Sequence, residues 1–237
     1  MLSVIQQNES AAQRFAALHA KKRDDTVLVH EIYASVQGES TWAGVPCVFV
    51  RTTGCHLRCT YCDTAHAFHE GQELSLDDVV ARVDGYGIPL VEVTGGEPLL
   101  QKSTGALLTR LVDAGRTVLV ETSGAVSLDG FDRRARFIVD VKTPRSGESK
   151  RNVWKNVAAL LPGHDELKFV LVDADDYAFA VKTLHEHPVP AGVTVLFSPA
   201  TPGLDPAWLA ESIVRDRLPV RFQLQMHKVL WGNKPGV

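Results

Sequence analysis

The sequence predicts an α/β fold in which parallel βαβ units coil into a barrel or an open wound sheet. Three observations predict it. From residue 27 onward, short apolar runs rich in Val, Ile, Leu and Phe alternate with longer amphipathic runs, as strands do with crossover helices. Residues able to do chemistry fall where the apolar runs end, and parallel barrel strands bring those ends to one rim. Finally, the 237 residues are 45% hydrophobic and no repeat, low-complexity tract or linker divides them. That is enough for one large domain with a real core.

The elements follow in order. Residues 8–23 read as a helix: Ser10 and Gln13 have capping-box spacing, Phe15 and Leu18 share a side, and Lys21, Lys22 and Arg23 suit a helix C-terminus. It is expected to pack as an N-terminal helical extension, residues 1–26, outside a main domain of residues 27–237, with a partner-binding helix as the alternative. Strands are expected at 27–33, 45–51, 89–93, 117–121, 137–141, 167–172, 193–197 and 220–226. Helices are expected at 75–83, 103–114, 152–161, 175–187 and 205–217. Cys47, Phe49 and Arg51 share parity within one strand, so they face the same side. Cys47 there reads as a small buried hydrophobe.

Composition narrows the partners. Lys+Arg 25 against Asp+Glu 28 gives −3, which favours neither nucleic acid nor an anionic membrane. No apolar run approaches the ~18–20 residues needed to span a bilayer. The first nine residues lack the basic start and apolar run of a signal peptide. A cytoplasmic location is therefore expected, where four cysteines argue for metal or catalysis rather than cross-links.

Three of those cysteines, Cys55, Cys59 and Cys62, are spaced C-x3-C-x2-C, with Tyr61 just before the last and Asp63-Thr64 after it. Three thiolates so close point at one centre, as ligands of a metal or cluster do. A [4Fe-4S] cluster needs four ligands, so one iron would stay open. The alternative is structural zinc with Cys47, His56, His66 or His69 as fourth ligand. Further run ends carry Thr94-Gly95-Gly96-Glu97-Pro98, Glu121-Thr122-Ser123-Gly124, Asp140-Val141-Lys142 and Ser198-Pro199-Ala200-Thr201. Two glycines let a backbone approach a ligand closely. Val36-Gln37-Gly38-Glu39 follows the first strand, Arg51 ends the second, and His227-Lys228 closes the last. An Arg facing a barrel interior needs a partner. Either an anionic ligand or Glu39 would serve, and Gln37 and Glu39 suit an amino-pyrimidine edge.

The cysteine loop and the Gly-Gly-Glu-Pro motif resemble those of the radical S-adenosylmethionine (SAM) superfamily. Together with Gln37-Gly38-Glu39, Phe49 to Cys55, Cys62-Asp63-Thr64, Glu121 to Gly124 and His227 to Lys234, they resemble the 7-carboxy-7-deazaguanine synthase family over about residues 27–237. The resemblance implies a partial (β/α)6-type TIM-like barrel. It also implies a lyase of queuosine or 7-deazapurine biosynthesis that takes 6-carboxy-5,6,7,8-tetrahydropterin to 7-carboxy-7-deazaguanine with loss of ammonia. The implied route is hydrogen abstraction at C6 by a SAM-derived radical, then ring contraction. In that frame Cys55, Cys59 and Cys62 would hold the cluster and Thr64 a Mg2+ ion. SAM would meet Tyr61, Cys62, Asp63, Gly96, Glu97, Ser123, Asp140, Val141, Lys142, Ser198, Pro199, Ala200 and Thr201. The pterin would meet Val36, Gln37, Gly38, Glu39, Arg51, Thr94 and His227. An electron donor such as flavodoxin or ferredoxin and a homodimer are implied too. The rival readings are another radical SAM enzyme, such as a glycyl-radical-enzyme activase, and a non-catalytic zinc-binding module.

Overall fold

The computed structural model describes residues 24–232 together with Ser10, Gln13, Lys234 and Gly236. The helix expected at 8–23 otherwise lies outside the described residues. Ser10 and Gln13 do exchange the reciprocal bonds of a capping box, Ser10 N to Gln13 Oε1 at 2.7 Å and Gln13 N to Ser10 Oγ at 3.2 Å.

One nine-stranded sheet, ordered β3-β1-β2-β4-β5-β6-β7-β8-β9, runs through the molecule. β1 (Thr26–Val36) pairs antiparallel with β2 (Pro46–Thr52) and with β3 (Gln72–Ser75). Every later neighbour pairs parallel: β2 with β4 (Leu90–Gly95), then β5 (Thr117–Thr122), β6 (Arg136–Asp140), β7 (Glu166–Leu171), β8 (Thr194–Pro199) and β9 (Arg221–Phe222). The sheet is open, a partial barrel. The helices are α1 (Leu76–Asp84), α2 (Thr104–Asp113), α3 (Lys155–Ala158), α4 (Ala174–Glu186), α5 (Pro206–Arg215) and α6 (Met226–Trp231). Carboxylates and hydroxyls start them: Ser75, Asp173 and Asp205 accept from Asp78 N, Asp176 N and Ala207 N. Among the described residues no helix is long and apolar enough to cross a membrane.

Strand parity sorts the chemistry. Val48, Val50, Val91, Val93, Val118, Val120, Phe137 and Val139 belong to the main core with helix residues such as Leu107, Leu108, Leu111 and Ala180. The opposite parity faces inward. Near the strand starts it is apolar, and Cys47, Phe49, Leu90, Leu119 and Ile138 form a plug. Two residues on, the same face carries Arg51, Glu92, Glu121 and Asp140. A floor of apolar side chains thus supports a layer of buried charge at the C-terminal strand ends.

The structure corrects several expectations. The stretch 220–226 is not one strand: only Arg221 and Phe222 pair with β8, and Met226 starts α6. His227 and Lys228 therefore sit in the first turn of a helix rather than at a strand end. Met226 N donates to Gly38 O at 2.8 Å, and this bond turns the chain. The helix expected at 152–161 shortens to Lys155–Ala158. β3 had no strand signal of its own, being only four residues long and burying one of them, Leu74.

Candidate active site

The cysteine loop crosses the C-terminal ends of β2 and β4, and glycines permit the crossing. A Cβ on Gly95 (φ +143°) would lie 2.2 Å from Thr52 O, and one on Gly96 would lie 2.4 Å from Gly54 O and 2.8 Å from Cys55 Cβ. Both glycines line the cavity, and the fold also needs them for this backbone-to-backbone approach. Glu97 N then donates to Gly54 O at 2.9 Å. On the other side, Arg58 N donates to Glu148 Oε1 at 2.7 Å and Thr60 Oγ1 to Arg145 O at 2.6 Å. Gly96→Ala is expected to lose several degrees of melting temperature, because backbone rather than a mobile side chain blocks the methyl. Iron content should fall with it; a variant as stable as wild type would remove this account.

Cys55, Cys59 and Cys62 are free thiols, and all three line one cavity of about 800 Å³. Burial pushes the Cys55 thiol up to about 12 and the Cys59 thiol up to about 11. Such thiols ionise when a cation replaces the proton. Among the described residues, no three of His, Cys, Asp and Glu converge closely enough for a single metal ion. A cluster suits wider spacing, since each thiolate meets its own iron. Leu57 N donates to Cys55 Sγ at 3.4 Å, a backbone donor of the kind that would steady a thiolate there. Three free thiols on one cavity wall fit the thiolate ligation of an iron–sulfur cluster.

Beside the thiols, Lys142 Nζ lies 2.7 Å from Asp140 Oδ2. Asp140 Oδ1 and Ser198 Oγ are buried without a hydrogen-bond partner among the described residues, a state that calls for a ligand or water. Glu97 does not line the cavity. It is fully buried, and its carboxylate accepts from Leu99 N at 3.0 Å, Thr122 Oγ1 at 2.9 Å, Ser123 N at 2.7 Å and Ser123 Oγ. Burial raises its pKa and these donors oppose the rise. It braces the loop after β4 against the end of β5.

The far end of the cavity is strongly charged. Arg51 Nε donates to Glu31 Oε1 at 2.7 Å and Nη2 to Tyr33 Oη at 2.8 Å. Its structural partner is thus Glu31, directly opposite in the β1–β2 register, and not Glu39 as weighed above. Glu39 instead meets Lys168 and accepts from Gln225 Nε2 at 2.9 Å. The His227 ring packs on Gly38, where an added Cβ would lie 2.3 Å from Nδ1. Lys228 Nζ pairs with Asp63 Oδ2 at 2.9 Å, joining α6 to the cysteine loop. Burial would raise the Asp63 carboxyl, yet Lys228 holds it down to about 2.

Of the residues singled out, Cys55, Cys59, Tyr61, Cys62, Asp63, Thr64, Gly96, Ser123, Asp140, Lys142, Ala200 and Thr201 line this cavity. So do Val36, Gln37, Gly38, Glu39, Arg51, Thr94 and His227. Glu97, Val141, Ser198 and Pro199 stand behind its wall. Glu31, Glu92 and Lys168 were missed, and they line it too. A signal existed for two of them: Glu92 lies inside Leu90-Val91-Glu92-Val93 and Lys168 inside Leu167-Lys168-Phe169, and a charge within a buried strand needs a partner.

A partial parallel barrel with three unshared thiols at its C-terminal face defines a radical SAM enzyme. The Radical SAM superfamily model matches residues 49–213. The 7-carboxy-7-deazaguanine synthase of Chlorobaculum tepidum is 43% identical over 206 residues, covering 86% of this chain and 94% of its own. That of Koribacter versatilis is 43% identical over 218 residues, covering 86% and 96%. The crystal structure of QueE from Escherichia coli shares the fold with a TM-score of 0.68 at 20% identity, covering 93% of this chain and all of that one. The chain belongs to the 7-carboxy-7-deazaguanine synthase family of radical SAM lyases.

Proposed function

We propose that this chain converts 6-carboxy-5,6,7,8-tetrahydropterin to 7-carboxy-7-deazaguanine with loss of ammonia, in queuosine or related 7-deazapurine biosynthesis. One observation carries the reading: a single cavity joins three thiols at one end to a guanidinium and carboxylates at the other. Its volume of about 800 Å³ suits two small molecules lying together. Cys55, Cys59 and Cys62 would hold a [4Fe-4S] cluster, with Tyr61, Asp63, Gly96, Ser123, Asp140, Lys142, Ala200 and Thr201 around SAM. Bound together, cluster and SAM would supply a carbon-centred radical.

The protein's residues position and shield. The partnerless Asp140 Oδ1 would accept from a nucleoside hydroxyl or amine. Arg51 would meet the substrate carboxylate as a planar fork. Glu39 would accept from the amino-pyrimidine edge. His227 would close over that edge from α6, so that bulk water is excluded. Glu97, Val141, Ser198 and Pro199 would support the SAM pocket from behind. The same reading includes a reductant such as flavodoxin or ferredoxin, a homodimer and a cytoplasmic location.

Thr64 would give its hydroxyl to Mg2+. Thr64 lines the cavity and its Oγ1 donates to Asp63 Oδ1 at 2.9 Å, so a hard cation would find oxygen donors there. Thr64→Ala is expected to raise the magnesium concentration for half-maximal rate by about tenfold or more. An unchanged magnesium response would remove the assignment.

The anaerobic reaction of reconstituted protein with the pterin, SAM, Mg2+ and dithionite tests the whole. Deazaguanine and ammonia should form while SAM is regenerated. SAM cleavage without deazaguanine would favour an activase-like enzyme acting on another substrate.

A further inference from the structure

Three glutamates surround one lysine at the substrate end. Glu39 comes from the loop after β1, Glu92 from β4, Glu121 from β5, and Lys168 from β7. Lys168 Nζ lies 2.5 Å from Glu121 Oε1 and touches Glu39 Oε2. Its side chain is only 3% exposed. Glu39 Oε1 accepts from Gln225 Nε2, so that carboxylate is gripped at both oxygens. Behind it, Gln37 Oε1 accepts from Glu39 N at 2.5 Å. This fixes the amide, and Gln37 Nε2 donates to Glu92 Oε2.

The surrounding charges are already engaged. Arg51 on β2 is bound by Glu31, and Asp140 on β6 by Lys142. His227 on α6 lies near Glu39. The Lys168 ammonium thus touches two of the three carboxyl groups and leaves Glu92 to Gln37, and closely placed carboxylates in a dry site cannot all ionise. Glu92 is the deepest, at 2% exposure, and the one side-chain hydrogen bond of its carboxyl among the described residues comes from Gln37.

We propose that Lys168 is a specificity-determining positioning residue that holds the Glu39 and Glu121 side chains as acceptors for the substrate's N–H edge, while Glu92 locks Gln37 behind them. The proposal rests on the pterin reading above. Burial, with repulsion from Glu121 and Glu39, pushes the Glu92 carboxyl well above the usual range. Burial works against the Lys168 charge, but Glu121 and Glu39 outweigh it and keep the ammonium protonated. Without Lys168, Glu39 would take up a proton and offer an O–H where the substrate also offers N–H groups. Two facing donors repel, so recognition of that edge would be lost.

Pterin-6-carboxylic acid, the oxidised and fluorescent form of the substrate, reports binding without turnover. It would be titrated into full-length protein loaded with cluster and SAM. Lys168→Met should weaken binding by about tenfold or more, and Lys168→Arg should recover part of it. Iron content and SAM affinity should stay at the wild-type level. Because Lys168 acts through Glu39 as well as Glu121, combining Lys168→Met with Glu39→Gln should weaken binding by less than the two single effects together. That double variant buries less unpaired charge, so it serves even if the single variant folds poorly. Infrared spectra at neutral pH should show a protonated carboxyl band that Glu92→Gln removes and Glu121→Gln does not. Equal binding by wild type and Lys168→Met, full additivity in the double variant, loss of iron alongside binding, or absence of the band would each overturn the proposal. Failure of the wild type itself to bind would remove the pterin reading, and this proposal with it.

Discussion

Cys59→Ala should lose product formation by more than about 10²-fold, because even an outer partner of a metal ligand is worth about 10–100-fold. Iron per chain should fall in parallel, while the far-ultraviolet circular dichroism stays that of wild type. Cys59 is the suitable probe among the three. It is half-buried on the cavity wall, whereas Cys55 is buried and its sulfur is met by Leu57 N. The backbone contact of the loop, Cys62 N to Cys59 O at 3.2 Å, does not involve the thiol. Cys47→Ala is the internal control. Cys47 is fully buried in the apolar plug with Phe49 and Leu90, so its loss should cost about 1 kcal/mol of stability and no iron. If Cys59→Ala keeps its iron and Cys47→Ala loses it, the three-thiol centre is wrong.

Most strands were legible because parity and β-branched composition agree with burial. The run expected at 45–51 is Pro46–Thr52, and its alternation separates Val48 and Val50 from Cys47 and Phe49 as observed. What stayed hidden depends on distant pairing. Arg51 meets Glu31 because the antiparallel β1–β2 register sets them opposite, and a sequence does not declare its register. The 220–226 run has strand composition, yet it bends into α6 where Met226 N meets Gly38 O. Gly95 and Gly96 were rightly noticed, but their need arises from a crossing with Thr52 and Gly54 that only the fold creates. Glu97 looked like a ligand contact from its motif. What the motif does not declare is that its carboxylate accepts from Thr122 and Ser123 at the end of the next strand. Glu92 and Lys168 were readable in principle as buried polar positions in need of partners, since each interrupts an otherwise apolar strand.

Arg51→Ala should raise KM for the pterin by about 10²-fold, lower kcat less, and leave iron content unchanged. The guanidinium is braced from behind: Nε on Glu31, Nη2 on Tyr33, and the Tyr33 ring stacked on Phe49 at 5.1 Å. Its side chain is 15% exposed, and Nη1 has no hydrogen-bond partner among the described residues. A braced, largely buried cation with donors to spare suits an anion that arrives from the cavity. Truncating one partner of such a pair costs about 2–5 kcal/mol, and 1.4 kcal/mol is a factor of about ten, so ~10² lies within the range. Much of the Glu31 penalty is relieved by water, because Glu31 is itself 27% exposed. Arg51→Lys keeps the charge but not the fork, so it should recover only part of the affinity. Glu31→Gln, which loosens the brace and keeps the guanidinium, should cost less than Arg51→Ala. Steady-state kinetics beside iron analysis decides it. Parallel loss of iron and rate would make Arg51 a structural residue of β1 and β2, and an unchanged KM would mean that the substrate carboxylate is bound elsewhere in the cavity.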